Sequence, residues 1–158
     1  MSEKPVSDKA KGELHIAGQR RVAIDIQSLC DHLDLIVGAN VAEVIMNQHQ
    51  LRQGRNDAAR IRQGRSEATI QQIVELVADA ESLSGVGVVK VIAPETSQGY
   101  VDLEISNPCV KRTAGAAKSF LSSYWCGVFT ELVGKEFKIN KVTYDENKNS
   151  MKCRIVLR

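Results

Sequence analysis

Four aromatic side chains lie within ten residues of one another, and they are the strongest candidates for ligand chemistry in this sequence. They make up four of the seven aromatic residues in the chain, and their spacing places them on one predicted helix: Phe120, Tyr124, Trp125 and Phe129. Aromatic rings line apolar pockets, and a tyrosine hydroxyl or an indole N–H orients what binds there. We therefore predict that these residues bind a hydrophobic or aromatic small molecule. Ordinary packing in the core or in a dimer interface is the alternative.

An arginine-rich stretch, LRQGRNDAARIRQGR at residues 51–65, is a second candidate site. Its five arginines are opposed by Asp57 alone. Because guanidinium groups bind phosphate, four of them are candidate ligands for phosphate or nucleic acid: Arg52, Arg55, Arg62 and Arg65. No aromatic residue is interleaved for base stacking, and the same spacing fits a solvated helix face. We therefore do not expect a nucleic-acid partner.

No residue pattern in the sequence indicates catalysis or a cofactor. The three histidines have no metal-ligand spacing, and the glycines at 85 and 87 lack the Lys-Ser/Thr pair of a phosphate-binding loop. No dinucleotide-binding motif is present. The cysteines form no CxxC pair, and we expect them to be reduced and buried in a cytoplasmic protein: Cys30, Cys109, Cys126 and Cys153. We predict no catalytic residues and regard an enzyme as less favoured than a binding protein.

Length and composition indicate one globular domain. A chain of 158 residues with 43% hydrophobic and 25% charged residues is ordinary for a soluble protein, and a net charge of +2 names no partner. No apolar run is long enough to span a membrane, and the start of the chain lacks the apolar core of an export signal. We predict a flexible polar tail at 1–20, ending in a short extended piece at 21–24, and a single domain at 21–158.

Apolar periodicity predicts four helices. The first begins at its N-cap Asp25 and ends at Gly38, and the second begins at Asn40, which pairs with Glu43 in a capping box. Ser66 is the predicted N-cap of the third, and the fourth runs from 114 to a C-cap at Gly134. The predicted buried side of the second helix contains Val41, Val44, Ile45, Leu51, Ala58 and Ile61. Gly54 within it indicates a kink or a close approach by another helix.

Four strands are predicted around the last helix. The run VGVVKVIAP, residues 86–94, is apolar on both faces and is predicted to be a central strand. Strands at 100–106 and 151–157 alternate cleanly, whereas the strand that begins at Phe137 changes phase and requires a bulge near Lys141. The order of elements predicts an α+β fold, a four-stranded antiparallel sheet with helices packed on one face. Surplus apolar helix surface predicts a helix-mediated homodimer.

Two segments of the chain resemble the 4-vinyl reductase domain family. They are LIVGANVAEVIMNQHQLRQGRNDAA in the N-terminal helices and, after a helix containing Gly127, the run ELVGKEFKI with a final strand carrying Cys153-Arg154. The resemblance covers roughly residues 25–157. It implies the fold shared with subunits of transport-protein-particle (TRAPP) complexes, a dimer, and a small-molecule or hydrocarbon pocket between the helices and the sheet.

Several members of that family hold zinc near the pocket, and the resemblance therefore implies positions for its ligands. The final ligand position falls on Cys153, but the others fall on Asp145, Val142 and a residue near Lys118. Zinc requires at least three protein ligands. Cys153 is thus a weak candidate ligand, a buried core cysteine is the favoured interpretation, and no cofactor is predicted.

The favoured interpretation is a stand-alone regulatory module that binds or senses a small hydrophobic or aromatic molecule. Three alternatives stay open from the sequence. They are an assembly protein that acts through a partner surface, a tetrapyrrole-processing factor of the vinyl-reductase type, and phosphate or nucleic-acid binding through residues 52–65.

Overall fold

Four helices lie over a four-stranded antiparallel sheet in the computed structural model, which describes residues 6–8, 13–16, 19–21, 25–93 and 99–158. The helices are α1 (Ile26–Val37), α2 (Ala39–Gly64), α3 (Ile70–Leu83) and α4 (Gly115–Val133). The main sheet contains β4 (Val88–Ala93), β5 (Tyr100–Ser106), β6 (Phe137–Asp145) and β7 (Ser150–Leu157). The predicted α+β class is confirmed.

Three short strands near the N-terminus form a separate antiparallel sheet in the order β1 (Val6–Asp8), β2 (Glu13–Ile16) and β3 (Gln19–Arg21). They lie in the segment that we predicted to be a flexible tail or, at Arg21, a short extended piece. The rest of that segment lies outside the described residues, as does most of the turn predicted after β4. The domain boundary near residue 20 stays a prediction.

The strand order β4-β5-β7-β6 corrects one prediction. We expected β4 to be central because both its faces are apolar, but it is an edge strand, with Val88 59% exposed and Ile92 50% exposed. Apolar residues on both faces indicate burial only when another layer covers the second face. The predicted bulge in β6 is confirmed, since its register against β7 shifts between Ile139 and Lys141.

The alternating pattern of β5 and β7 separates a core face from a polar face. The side chains of the core face are almost fully buried: Val101, Leu103, Ile105, Met151, Cys153 and Ile155. On the other face Arg154 forms two 2.7 Å hydrogen bonds with the carboxylate of Asp102. The helices therefore cover one face of the sheet, as predicted.

Helix α4 is the central helix of the domain. It packs against β6 and β7 and also against α2, and 14 of its 19 residues are buried. No side chain of its own caps its N-terminus, but Asp34 of α1 does so, accepting the Ala116 backbone N–H at 2.9 Å. Its C-terminus is the left-handed Gly134, as predicted.

The face of α2 that contacts α4 differs from the predicted one. The buried residues repeat every fourth position and are Ala42, Met46, Gln50, Gly54 and Ala58, of which only Ala58 was predicted. The predicted Val41, Val44 and Ile45 are 46–60% exposed. Glycine is required at position 54 because the two backbones approach closely there, and an added Cβ would overlap the backbone of Tyr124. The close approach that Gly54 indicated is confirmed.

Of the four predicted helix starts, those of α1 and α4 are confirmed and those of α2 and α3 were wrong. Asp25 caps α1 by accepting the Ser28 N–H at 3.0 Å. The residue that precedes α2 is Gly38, without a side-chain cap, so Asn40 and Glu43 form no capping box. Thr69 rather than Ser66 caps α3, because only Thr69 has a glutamine three residues later to complete a capping box.

Candidate functional site

The four predicted ligand-binding residues lie on α4, where the helix is most deeply enclosed. Trp125 and Phe129 are 0% exposed and Tyr124 is 5% exposed, whereas Phe120 is partly buried. Phe120 is thus the only member of this group with appreciable solvent contact. The spacing placed all four on one helix correctly, but it did not show which of them reach the surface.

The rings form a chain of edge and tilted contacts. The centroids of Tyr124 and Trp125 are 6.1 Å apart in a T-shaped arrangement, and those of Trp125 and Phe129 are 6.0 Å apart. Phe137 of β6 extends the chain, 6.0 Å from Phe129. Among the described residues these ring contacts do not extend to Phe120, which lies on the same helix. We call the four rings together with Phe120 the aromatic cluster. Phe137 was predicted to begin its strand but not to be part of the site.

The Trp125 indole is the unusual member of the aromatic cluster. Its Nε1 is buried and has no hydrogen-bond partner among the described residues. A buried donor without an acceptor costs about 1–3 kcal/mol, and tryptophan N–H groups inside proteins usually find a partner. The cluster therefore offers a donor for an acceptor atom that the described residues do not provide.

Polar groups border the other end of the aromatic cluster. The Tyr124 hydroxyl donates to Asp57 Oδ2 at 3.3 Å, and the same carboxylate accepts hydrogen bonds from Gln53 and Arg60. Burial, followed by the charges of Glu81 and Asp57, raises the pKa of Tyr124, so the hydroxyl stays protonated and donates. The sequence indicates that Glu81 faces the core, because it stands four residues after the buried Val77 on α3. We did not predict Glu81 as part of the site.

The candidate arginines divide into exposed and internally paired groups. Arg52, Arg62 and Arg65 are exposed at the surface of α2 or just after it. Arg55 is partly buried and lies 3.9 Å from Glu136. Arg65 lines surface pockets beside α3, and phosphate binding through the four candidates stays a prediction.

The four cysteines are free thiols. Three are buried and Cys109 is partly buried. Burial raises the pKa of both Cys126 and Cys153 to about 12, and the charge of Cys153 adds to the rise for Cys126. At neutral pH both thiols are therefore protonated.

The zinc positions implied by the family resemblance do not fit a metal site here. Asp145 accepts the backbone N–H groups of Asn147 and Lys148 in the β6–β7 turn, and Lys118 pairs with Glu43 at 2.7 Å. Within residues 25–93 and 99–158, no three His, Cys, Asp or Glu side chains group closely enough to hold an ion. Cys153 is accordingly a core residue of β7.

A cleft of about 440 Å³ lies elsewhere, between α3 and β4. No residue of the aromatic cluster and none of the candidate arginines lines it. Its walls combine apolar side chains with the carboxylates Glu75 and Asp79. The sequence did not reveal this cleft, because it depends on β4 being an edge strand.

Comparison with solved structures shows the fold that this chain shares. The phenol-responsive sensory domain of the transcription activator PoxR, solved with phenol, superimposes with a TM-score of 0.72 at 13% identity, covering 98% of this chain and 85% of that one. A vinyl-4-reductase family protein from Methanocaldococcus jannaschii gives a TM-score of 0.55 at 10% identity, covering 89% and 84%. No family model and no curated protein matches the sequence. The chain has the fold of the 4-vinyl reductase domain family, as the resemblance implied.

None of the described helices combines the length and the apolar character needed to cross a membrane.

Proposed function

We propose that this chain is a small-molecule sensing domain whose ligand is a hydrophobic or aromatic compound bound at the aromatic cluster. The observation that carries the proposal is the buried Trp125 N–H without an acceptor. The phenol-responsive sensory domain of PoxR has the same fold, which makes a phenol-sized ligand a reasonable first probe.

The chemistry of the aromatic cluster suggests the kind of ligand. The rings of Trp125 and Phe129 provide apolar surface, and the indole N–H donates to one acceptor atom. A small aromatic ring with a hydroxyl or carbonyl oxygen satisfies both requirements. Because Trp125 and Phe129 are fully enclosed, binding requires side chains to move.

The test is a comparison of three probes by calorimetry and thermal shift: phenol, benzene and cyclohexanol. We expect phenol to bind and to raise the melting temperature. Trp125→Phe is expected to weaken phenol binding about tenfold, the value of one hydrogen bond, while benzene binding changes little. Val77→Ala, a buried truncation on α3, is the control for general destabilisation.

Two outcomes would contradict this proposal. One is the absence of binding by all three probes at millimolar concentration. The other is an equal loss of phenol and benzene affinity in Trp125→Phe, because the indole N–H would then play no specific part.

We also propose a homodimer formed through α1 and α2, which supports the interpretation as a regulatory or assembly module. Six large apolar residues are exposed around the α1–α2 junction, and they are Leu35, Ile36, Val37, Val41, Val44 and Ile45. Single exposed apolar residues are normal, but a contiguous group of them marks an interaction surface. Leu35 and Ile36, at 82% and 76% exposed, contribute little to the monomer.

Ile36→Glu is therefore expected to dissociate the dimer and leave the fold intact, because it places a charge at the centre of the apolar surface. Sedimentation over a range of concentrations measures the change. Leu83→Glu makes the same substitution at an exposed apolar site on α3 and should leave association unchanged. A wild-type protein that sediments as a monomer at high micromolar concentration would rule out this dimer.

A further inference from the structure

The cleft between α3 and β4 has an apolar floor and a polar rim. Its apolar residues come from every fourth position of α3 and from two positions of β4, and they are Ile70, Val74, Ala78, Val89 and Val91. The polar residues are Gln71, Glu75 and Asp79, again every fourth position of α3, and they form the rim on the helix side, whereas Lys90 lines the groove from β4. We call this cleft the α3–β4 groove. Apolar side chains at its base favour an apolar occupant, and the rim adds a requirement for charge.

The α3–β4 groove runs along the backbone edge of β4. Val89, Lys90 and Val91 all line it, although successive strand residues point to opposite faces of a sheet. A groove that contacts all three must therefore follow the edge, where backbone N–H and C=O groups lie. β4 is the terminal strand, and no strand among the described residues pairs with its outer edge.

The two edges of the sheet are protected to different degrees. The β6 edge carries two exposed lysines, Lys138 and Lys141, next to its bulge, a combination that discourages pairing with another strand. The β4 edge carries Lys90 between the exposed apolar residues Val88 and Ile92. β4 is thus the edge that is less protected against pairing with another strand.

From this arrangement we propose that the α3–β4 groove binds an extended peptide segment, which adds to β4 as a fifth strand of the sheet. The six groove residues of α3 span positions 70–79, a length of about 14 Å at the helical rise. That length accommodates about four extended residues. The backbone of the peptide pairs with β4, and its alternate side chains enter the apolar floor.

Charge on the rim defines the peptide further. Glu75 and Asp79 are exposed and form no ion pair with any described residue, although Gln71 donates a 3.2 Å hydrogen bond to Glu75. Two unpaired carboxylates one helical turn apart favour a lysine or arginine side chain. The groove therefore selects a segment that alternates apolar residues and carries a basic residue on the side facing α3.

A second copy of this chain is a poorer occupant than such a peptide. If β4 paired with β4 of another copy, the only basic side chain of the added strand would be Lys90. That side chain would lie on the face of the sheet away from Glu75 and Asp79, because Lys90 alternates with the floor residues Val89 and Val91. Pairing centred on Lys90 would also place two lysines opposite each other, which is destabilising.

The experiment selects binders from a random seven-residue peptide library on the immobilised chain. We expect enriched peptides with alternating β-branched or aromatic residues and at least one lysine or arginine. Binding should fall about tenfold or more in a Glu75→Lys, Asp79→Lys variant, since attraction becomes repulsion. Glu146→Lys, a charge reversal in the exposed β6–β7 turn, should leave the affinity unchanged.

A second measurement tests the strand pairing. Bound peptide should slow hydrogen exchange of the β4 amides. Alternate peptide amides can be N-methylated in two patterns, and only the pattern that blocks the amides paired with β4 should abolish binding. Failure to enrich any peptide would overturn the proposal. Without peptide, protection of the β4 amides from hydrogen exchange that increases with protein concentration would assign the edge to a second copy. That result would also overturn the proposal. Trp125→Phe should bind peptide normally, so this test is independent of small-molecule sensing.

Discussion

Replacement of Gly54 by alanine is expected to destabilise the protein by about 1–3 kcal/mol, the usual cost of overpacking a filled core. Alanine is the better helix former by about 1 kcal/mol, so intrinsic propensity alone predicts the opposite sign. The difference arises at the contact between α2 and α4, where a Cβ on Gly54 would overlap the Tyr124 carbonyl. Backbone cannot rotate aside as a flexible side chain does, so the two helices must separate.

The contact is reciprocal, and this makes the expected result more specific. A Cβ on Gly127 of α4 would overlap the backbone carbonyl of Leu51 on α2. Gly127→Ala should therefore cost a similar free energy of unfolding. Because either substitution separates the same pair of helices, the double variant should lose less than the sum of the two single losses.

Gly64 is the matched control, since it lies on the same helix and has no atom within 4 Å of the position that a Cβ would take. Gly64→Ala should leave stability unchanged or raise it slightly. Chemical denaturation monitored by circular dichroism measures all four variants. A Gly54→Ala protein as stable as the wild type would show that α2 and α4 are not in close contact at this position.

Local patterns in the sequence predicted most of the fold correctly. Alternation predicted which residues of β5 and β7 face the core, and the phase change after Phe137 predicted the bulge in β6. These features succeed because they depend only on neighbouring residues and on one buried face. The cap at Asp25 and the left-handed Gly134 succeeded for the same reason.

Features that depend on a partner element were predicted less well. Val41, Val44 and Ile45 were expected to be buried because apolar residues usually are, yet α2 buries a different face, the one that contains Gly54. Size complementarity between two helices is not visible in the periodicity of one. The edge position of β4 was missed because strand order is decided by long-range pairing, which leaves no local pattern.

The candidate site shows the same division. The four aromatic residues of α4 were predicted from spacing, but Phe137 joins them only through the packing of β6 on α4. The unpartnered Trp125 N–H is a property of its surroundings and has no sequence signal. Asp57 and Glu81 approach Tyr124 from two further helices, and only the position of Glu81 on an otherwise apolar stripe hinted at it.

Glu81 is expected to make the stability of the protein depend on pH, with the folded state losing stability as the pH rises from about 4.5 to about 7. Burial, together with the nearby negative charge of Asp57, raises the pKa of Glu81 from 4.5 to about 7. The Glu81 carboxylate also lies near Tyr124 of α4 and near Cys109, which precedes that helix. Its charge contributes to the raised pKa of both side chains. No ion-pair partner for its carboxylate is present among the described residues.

The sign follows from which state holds the proton. Between pH 4.5 and 7 the folded protein keeps Glu81 protonated while the unfolded chain has released that proton. The contribution of protonated Glu81 to the free energy of unfolding is therefore complete below pH 4.5. It decreases between pH 4.5 and 7 and is lost above pH 7. A shift of this size corresponds to about 3 kcal/mol between the two limits. The change is large against the total stability of a small domain.

Glu81→Gln removes the titrating group and keeps the shape of the side chain. The variant should match the wild type near pH 4.5 and exceed it by up to about 3 kcal/mol at pH 8, because the buried charge is gone. Urea denaturation at intervals between these pH values gives the difference, in which all groups common to both proteins cancel. Glu75→Gln on the exposed side of α3 is the control and should run parallel to the wild type. A constant difference between Glu81→Gln and wild type across this range would mean that Glu81 is hydrated, and that the Tyr124–Asp57 end of the aromatic cluster is open to water.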